Sequence, residues 1–167
     1  MFDKLTPDDI RKMEEEIEYR KLVVRPQALE DLKTARAQGD LSENFEYYAA
    51  KRFKNKNESR IRYLEKMIKT ATILDTSSAD DEVGINNSVE VEFEEDGSLE
   101  KYKIVTTVRV DSLEGLISNE SPMGKALLGK KVGDRVYIEV NSDFGYYVKV
   151  KSIDKNTDES GDRINSF

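Results

Sequence analysis

The chain has 167 residues, a formal net charge of −7, and equal 37% shares of apolar and charged side chains. It contains no Cys and no His, which excludes disulfides, thiolate metal sites and the commonest general base. Any chemistry must come from carboxylates, Lys, Tyr or hydroxyls, or belong to a partner. The acidic start MFDKLTPDD does not look like a leader, and no apolar run approaches membrane length. A soluble, cytoplasmic protein without a membrane partner is therefore expected.

Thr6-Pro7-Asp8-Asp9 is a helix start, with a capping hydroxyl, a proline suited to the first turn, and acids at the positive end of the dipole. Apolar residues follow at Ile10, Met13, Ile17, Val24, Ala28, Leu32 and Ala35 with helical spacing. Pro26 should bend this helix locally, and Gly39 should end it. A second helical run passes through Ala50, Phe53, Asn57, Ile61, Leu64, Ile68, Ala71 and Leu74. Asn57 falls on its seam, where a polar residue can fix register. With only GDLSEN between them, the two runs predict an antiparallel helical hairpin over residues 1–75, each helix roughly 45 Å long at 1.5 Å per residue. A dimerisation arm is the competing use of such helices.

Residues 76–80 are polar and aperiodic and read as a linker. From residue 81 the period changes. VEVEFEE and LEKYKIV flank Asp96-Gly97, a hairpin signal. Ser121-Pro122 opens a short helix closed by Gly129, and DRVYIEV and YYVKVKSI supply two further strands. Residues 81–154 thus predict a small antiparallel β domain with one helix. The fold class is α+β, and residues 155–167 are expected to form a disordered tail.

Three groups of residues are candidates for function. Asp40 and Glu43 lie in the loop joining the helices. Asp40 or Ser42 can cap the second helix and Glu43 can favour its dipole. Alternatively, Asp40 and Glu43 can supply part of a Mg²⁺ shell that a partner completes. Residues 51–69 carry eight basic and two acidic side chains, a net +6 within an acidic protein. On a helical wheel Lys51, Arg52, Lys56 and Arg60 fall opposite the apolar seam. They form either a solvated face or a strip that tracks a nucleic-acid backbone. Phe45, Tyr47 and Tyr48 can stack on bases, although Phe45 and one Tyr are expected to pack the end of the hairpin.

The stretch from Gly39 to Ala50, GDLSENFEYYAA, resembles the tip signature of the Gre transcript-cleavage factors. NESPMGKALLGK, from Asn119 to Lys130, is similar to their C-terminal motif. Together the likeness spans roughly residues 5–153. The tip is similar to the GreA branch, and the basic run and Glu120-Ser121-Pro122-Met123 to the GreB branch. The resemblance implies an FKBP-like C-terminal domain, with Leu128-Gly129-Lys130-Lys131-Val132-Gly133-Asp134 similar to a turn of that fold; isomerase activity does not follow, because the chain lacks Trp.

The resemblance further implies a monomeric accessory factor with no small-molecule substrate and no complete active site of its own. Its hairpin would enter the secondary channel of RNA polymerase. There Asp40 and Glu43 would help hold a Mg²⁺ shared with the polymerase, which then hydrolyses the 3′ end of its own backtracked RNA. Glu120, Ser121 and Pro122 would contact the polymerase, although Pro122 is also simply a good first helical residue. A channel-binding inhibitor without cleavage is the alternative, but the tip keeps the Asp-x-x-Glu pair of the cleavage factors.

Overall fold

The computed structural model describes residues 4–38, 44–156 and 162–165. The chain divides into two compact units, Pro7–Thr72 and a second unit made of Ile73–Phe167 with Met1–Thr6. The expected hairpin boundaries at residues 1 and 75 therefore move inward. Leu5 is fully buried, and its carbonyl accepts the Leu74 N–H at 2.8 Å, so this piece of the N-terminus belongs with the β unit.

The helical unit runs through α1 (Pro7–Tyr19), a π-helical turn (Arg20–Val24), α2 (Arg25–Arg36) and α3 (Phe45–Thr70). Cross-links between the two arms fall on one side as they rise on the other: Ala35 with Asn44, Arg25 with Glu58, Arg20 with Asn57, Glu16 with Arg60. The arms are therefore antiparallel. The π turn sits where Pro26 was expected to bend the helix. In a regular α-helix the proline ring would crowd the carbonyl four residues back; one wider turn, with the Arg25 N–H donating to the Arg20 carbonyl, absorbs it.

The buried stripe comprises Met13, Ala28, Ala35, Asn57, Ile61 and Leu64. It follows the predicted spacing except at Phe53, which is 53% exposed, and at Ala71 and Leu74, which lie beyond the end of α3 at Thr70.

The second unit includes the short strand β1 (Lys4–Leu5), and β2 (Thr72–Ile73) leads into the rest of it. Its sheet is formed by β3 (Ser88–Phe93), β4 (Leu99–Val105), β5 (Leu116–Ser118), β6 (Arg135–Glu139) and β7 (Gly145–Asp154), in the order β5-β4-β3-β7-β6. Alternation makes one face apolar. Val89 and Val91, Val136 and Ile138, and Val148 and Val150 join Ile104 and Val83 in a core that is covered by Leu127 of α4 (Pro122–Leu127). Burying a side chain such as Leu127 contributes about 1.5–3 kcal/mol.

The predicted β3–β4 hairpin closes on Gly97, whose φ of 71° is the left-handed conformation glycine supplies. A bulge between Glu90 and Val91 shifts the β3–β7 register.

Two features differ from expectation. The sheet is not wholly antiparallel, because β5 pairs parallel to β4, with Lys103 opposite Leu116. The tail is not wholly loose either: at Asp162–Asn165 it lies against the β unit, where Asn165 donates its N–H to the Val108 carbonyl at 2.7 Å. The linker, too, is tied down. Lys155 Nζ donates to Ser78 Oγ at 2.7 Å and to Asn87 Oδ1 at 3.0 Å.

Candidate nucleic-acid interface

Asp40 and Glu43, the expected metal-holding pair, lie outside the described residues, as do Gly39 and Ser42. The start of α3 is described, and it reassigns the capping role. Asn44 is the N-cap: its Oδ1 accepts the Tyr47 N–H at 2.9 Å, and its Nδ2 donates to the Ala35 carbonyl at 2.7 Å. One side chain thus satisfies an orphan donor of α3 and ties it to the last turn of α2, whose Ala35 carbonyl also accepts the Gln38 N–H. The cap expected from Asp40 or Ser42 is filled by Asn44.

The aromatic residues beside the tip separate by environment. Tyr47 is half-buried, with Arg36 over its ring at 5.6 Å and Tyr48 edge-on to it at 5.4 Å. Phe45 does not pack the hairpin end as expected; it is 84% exposed.

The four residues expected to form the strip on α3 split in two. Lys51, Arg52 and Lys56 are exposed and take part in no ion pair among the described residues. They lie within about three turns of the α3 N-terminus. Arg60 is different, and its expected outward orientation does not hold. Its side chain is only 12% exposed and clasps Glu16 with Nε at 2.7 Å and Nη2 at 3.1 Å. Arg60 lies at the margin of the outward face, and a long guanidinium there reaches the other arm.

Around that clasp a polar layer crosses the hairpin. Arg20 donates to Glu16 at 2.7 Å and to Asn57 Oδ1 at 2.9 Å, while Asn57 Nδ2 donates to the Arg20 carbonyl at 3.3 Å. Burial alone would raise the Glu16 carboxyl, but hydrogen bonds from Arg60 and Arg20 outweigh it and hold Glu16 below its ordinary range. Arg25 makes a further two-pronged pair with Glu58. The hairpin spends these cations on its own register and leaves those nearest the tip outward.

In the β unit, Glu120, Ser121 and Pro122 form one rigid corner. Ser121 caps α4, its Oγ accepting the Gly124 N–H at 3.1 Å and donating to the Ser118 carbonyl at 2.6 Å. Gly124 is required there, since any Cβ would collide with the Ser118 carbonyl. Glu120 is exposed and pairs with Lys4 at 3.1 Å; Pro122 is exposed at the first helical position.

Family models match both units. One described as transcription elongation factor, N-terminal, covers residues 4–73, and one described as transcription elongation factor, GreA/GreB, C-terminal, covers residues 77–155. The chain belongs to the GreA/GreB family of transcription elongation factors. The GreA of Thermoanaerobacter pseudethanolicus is 47% identical over 137 residues, 81% of this chain and 87% of that protein. The GreA of Streptococcus thermophilus is 43% identical over 152 residues, 90% of this chain and 94% of that one. A solved structure of GreA factor homolog 1 from Thermus thermophilus is 28% identical and covers 90% of this chain and 97% of its own, with a TM-score of 0.41.

For a Gre-family elongation factor, the corner at Ser121 gains neighbours that the sequence did not single out. Tyr137 and Glu139 of β6 line a groove of about 370 Å³ with Glu120, Pro122, Lys125 and Ala126. Tyr137 is 49% exposed and stacks obliquely on Tyr147 at 5.0 Å. An aromatic on the outward phase of a strand was the available signal, since that phase is ordinarily polar.

Proposed function

We propose that this factor binds RNA polymerase, places its hairpin in the secondary channel and stimulates the polymerase's own cleavage of backtracked RNA at the 3′ end. The observation that carries this reading is the bare cationic strip of Lys51, Arg52 and Lys56 beside the tip, while Arg60, the next of the expected strip residues, is committed to Glu16. A phosphate backbone leaving the tip would meet unneutralised charge first. Asn44 supports the same reading by relieving the tip acids of the capping role.

Asp40 and Glu43 are hard oxygen donors of the kind Mg²⁺ takes, though too few to complete its shell. No group of three or more Asp, Glu, His or Cys side chains placed to hold a metal ion occurs among the described residues. The ion would be shared with the polymerase, where it would activate water and stabilise the in-line displacement. The residues of this chain then position and neutralise: the acids orient the ion and water, the strip steers the RNA end, and the corner at Glu120 to Pro122 holds the factor at the channel mouth.

The test is a stalled, backtracked elongation complex carrying 5′-end-labelled RNA. Shortening of the RNA from its 3′ end on adding the factor is expected. Slowed extension without shortening would overturn cleavage in favour of channel inhibition.

A further inference from the structure

Two cations are buried side by side in the β unit. Lys103 of β4 is 8% exposed, and Arg109, in the 3₁₀ turn Thr107–Arg109, is 1% exposed. Charged groups are seldom buried unless paired. Their common partner comes from beyond the last strand: Asp162 Oδ2 accepts Lys103 Nζ at 3.0 Å and Arg109 Nη1 at 2.9 Å, with its side chain 10% exposed. Asn165 adds two backbone contacts, its N–H to the Val108 carbonyl at 2.7 Å and its Nδ2 to the Val110 carbonyl at 3.2 Å.

Part of the framework around the cations comes from the domain itself. Arg109 Nη2 donates to Asn86 Oδ1, and the Lys103 N–H is held by the Gly115 carbonyl at 2.9 Å. Beside them a cavity of about 590 Å³ extends past Asp111, Glu114 and Arg163, so the tail lies along a groove instead of filling a sealed core. The family match ends at residue 155.

We propose that Lys103 and Arg109 form a carboxylate-binding pocket for an acidic peptide segment, occupied in cis by Asp162, so that the C-terminal segment is a removable latch. A pocket held open by its own framework keeps its shape when the ligand leaves. A tethered ligand occupies it at an effective concentration on the order of millimolar. A free acidic peptide therefore binds well only after the tail is removed.

The experiment compares the full chain with one ending at Asn156, using a fluorescent peptide of residues 157–167 and its Asp162→Asn counterpart. The shortened chain should keep its circular dichroism and bind the wild-type peptide. The full chain should bind it at least about tenfold more weakly, because its own tail competes. The Asp162→Asn peptide should bind on the order of a hundredfold more weakly, since one partner of a buried ion pair is gone. In the full chain, Asp162→Asn should speed tryptic cleavage after Arg163 while the rest of the domain stays resistant. Unfolding of the shortened chain would overturn the proposal by making the tail part of the core. So would a folded shortened chain that ignores the peptide or binds both forms equally. Polymerase is absent from the assay, so the outcome is independent of the cleavage reading.

Discussion

At the scale of single residues, Glu16 is the acid at the centre of the polar layer that crosses the hairpin. It accepts from Arg20 and Arg60 across a layer that also contains buried Asn57. Glu16→Gln would leave two half-buried guanidiniums without their carboxylate and should destabilise the helices by about 1–3 kcal/mol at neutral pH, between the surface and fully buried cases. The pH dependence has a definite sign. Because the Glu16 carboxyl is lowered in the folded state, its stabilisation is complete above the ordinary carboxylate range. It is lost as pH falls through the lowered value. Thermal unfolding followed by helical circular dichroism between neutral and acid pH should show the variant and wild type converging in acid; a constant gap would remove Glu16 as the acid-sensitive group.

Much of this layer was visible in the sequence. Asn57 stands out as a polar residue on an apolar seam, and Met13, Ile61 and Leu64 follow from periodicity. The Arg60–Glu16 pair was not visible, because periodicity assigns a Cβ direction whereas a guanidinium reaches several ångströms from it. Asn44 was passed over as the cap because several capping residue types crowd one loop, and spacing alone does not choose among Asp40, Ser42 and Asn44.

At the scale of elements, the bare strip on α3 makes a graded prediction. Reversing the charge of Lys51 and Lys56 together should slow cleavage most in complexes with long extruded RNA. Complexes backtracked by two or three nucleotides, whose RNA hardly passes the tip, should change little. The deficit should shrink as salt rises, because phosphate neutralisation is itself salt-dependent. Equal loss on both complexes would indicate contacts with the channel wall, and no loss would make the strip a solvated face.

The corner before α4 makes a separate prediction. Glu120→Lys removes the exposed pair with Lys4 and should cost less than about 0.5 kcal/mol of stability, as surface changes do. It should nevertheless weaken competition against wild type for polymerase. Undiminished competition would remove Glu120 from the interface. The main elements of the β unit were legible because β3, β6 and β7 alternate and Asp96-Gly97 marks a turn. The three-residue β5 was missed, being too short to show alternation and paired parallel through a non-local connection. The docked tail was missed for a related reason. Its sequence is polar, and its order comes from Lys103 and Arg109, far away in the chain.

At the scale of the whole molecule, two units divide the work that one family motif each had announced. The helical unit carries charge, and the β unit carries an ordered corner and an aromatic groove. Class and family were legible because both motifs occur in the right order. The tip pair remains a sequence reading, since it lies outside the described residues. The most direct measurement of the central claim is cleavage by Asp40→Asn and Glu43→Gln in a backtracked elongation complex, with polymerase affinity measured alongside by competition. The account predicts that each variant cleaves at least about a hundredfold more slowly, a loss of about 2.7 kcal/mol of transition-state stabilisation, while binding within about twofold of wild type. Cleavage at the wild-type rate by either variant, or cutting of RNA by the factor without polymerase, would contradict it.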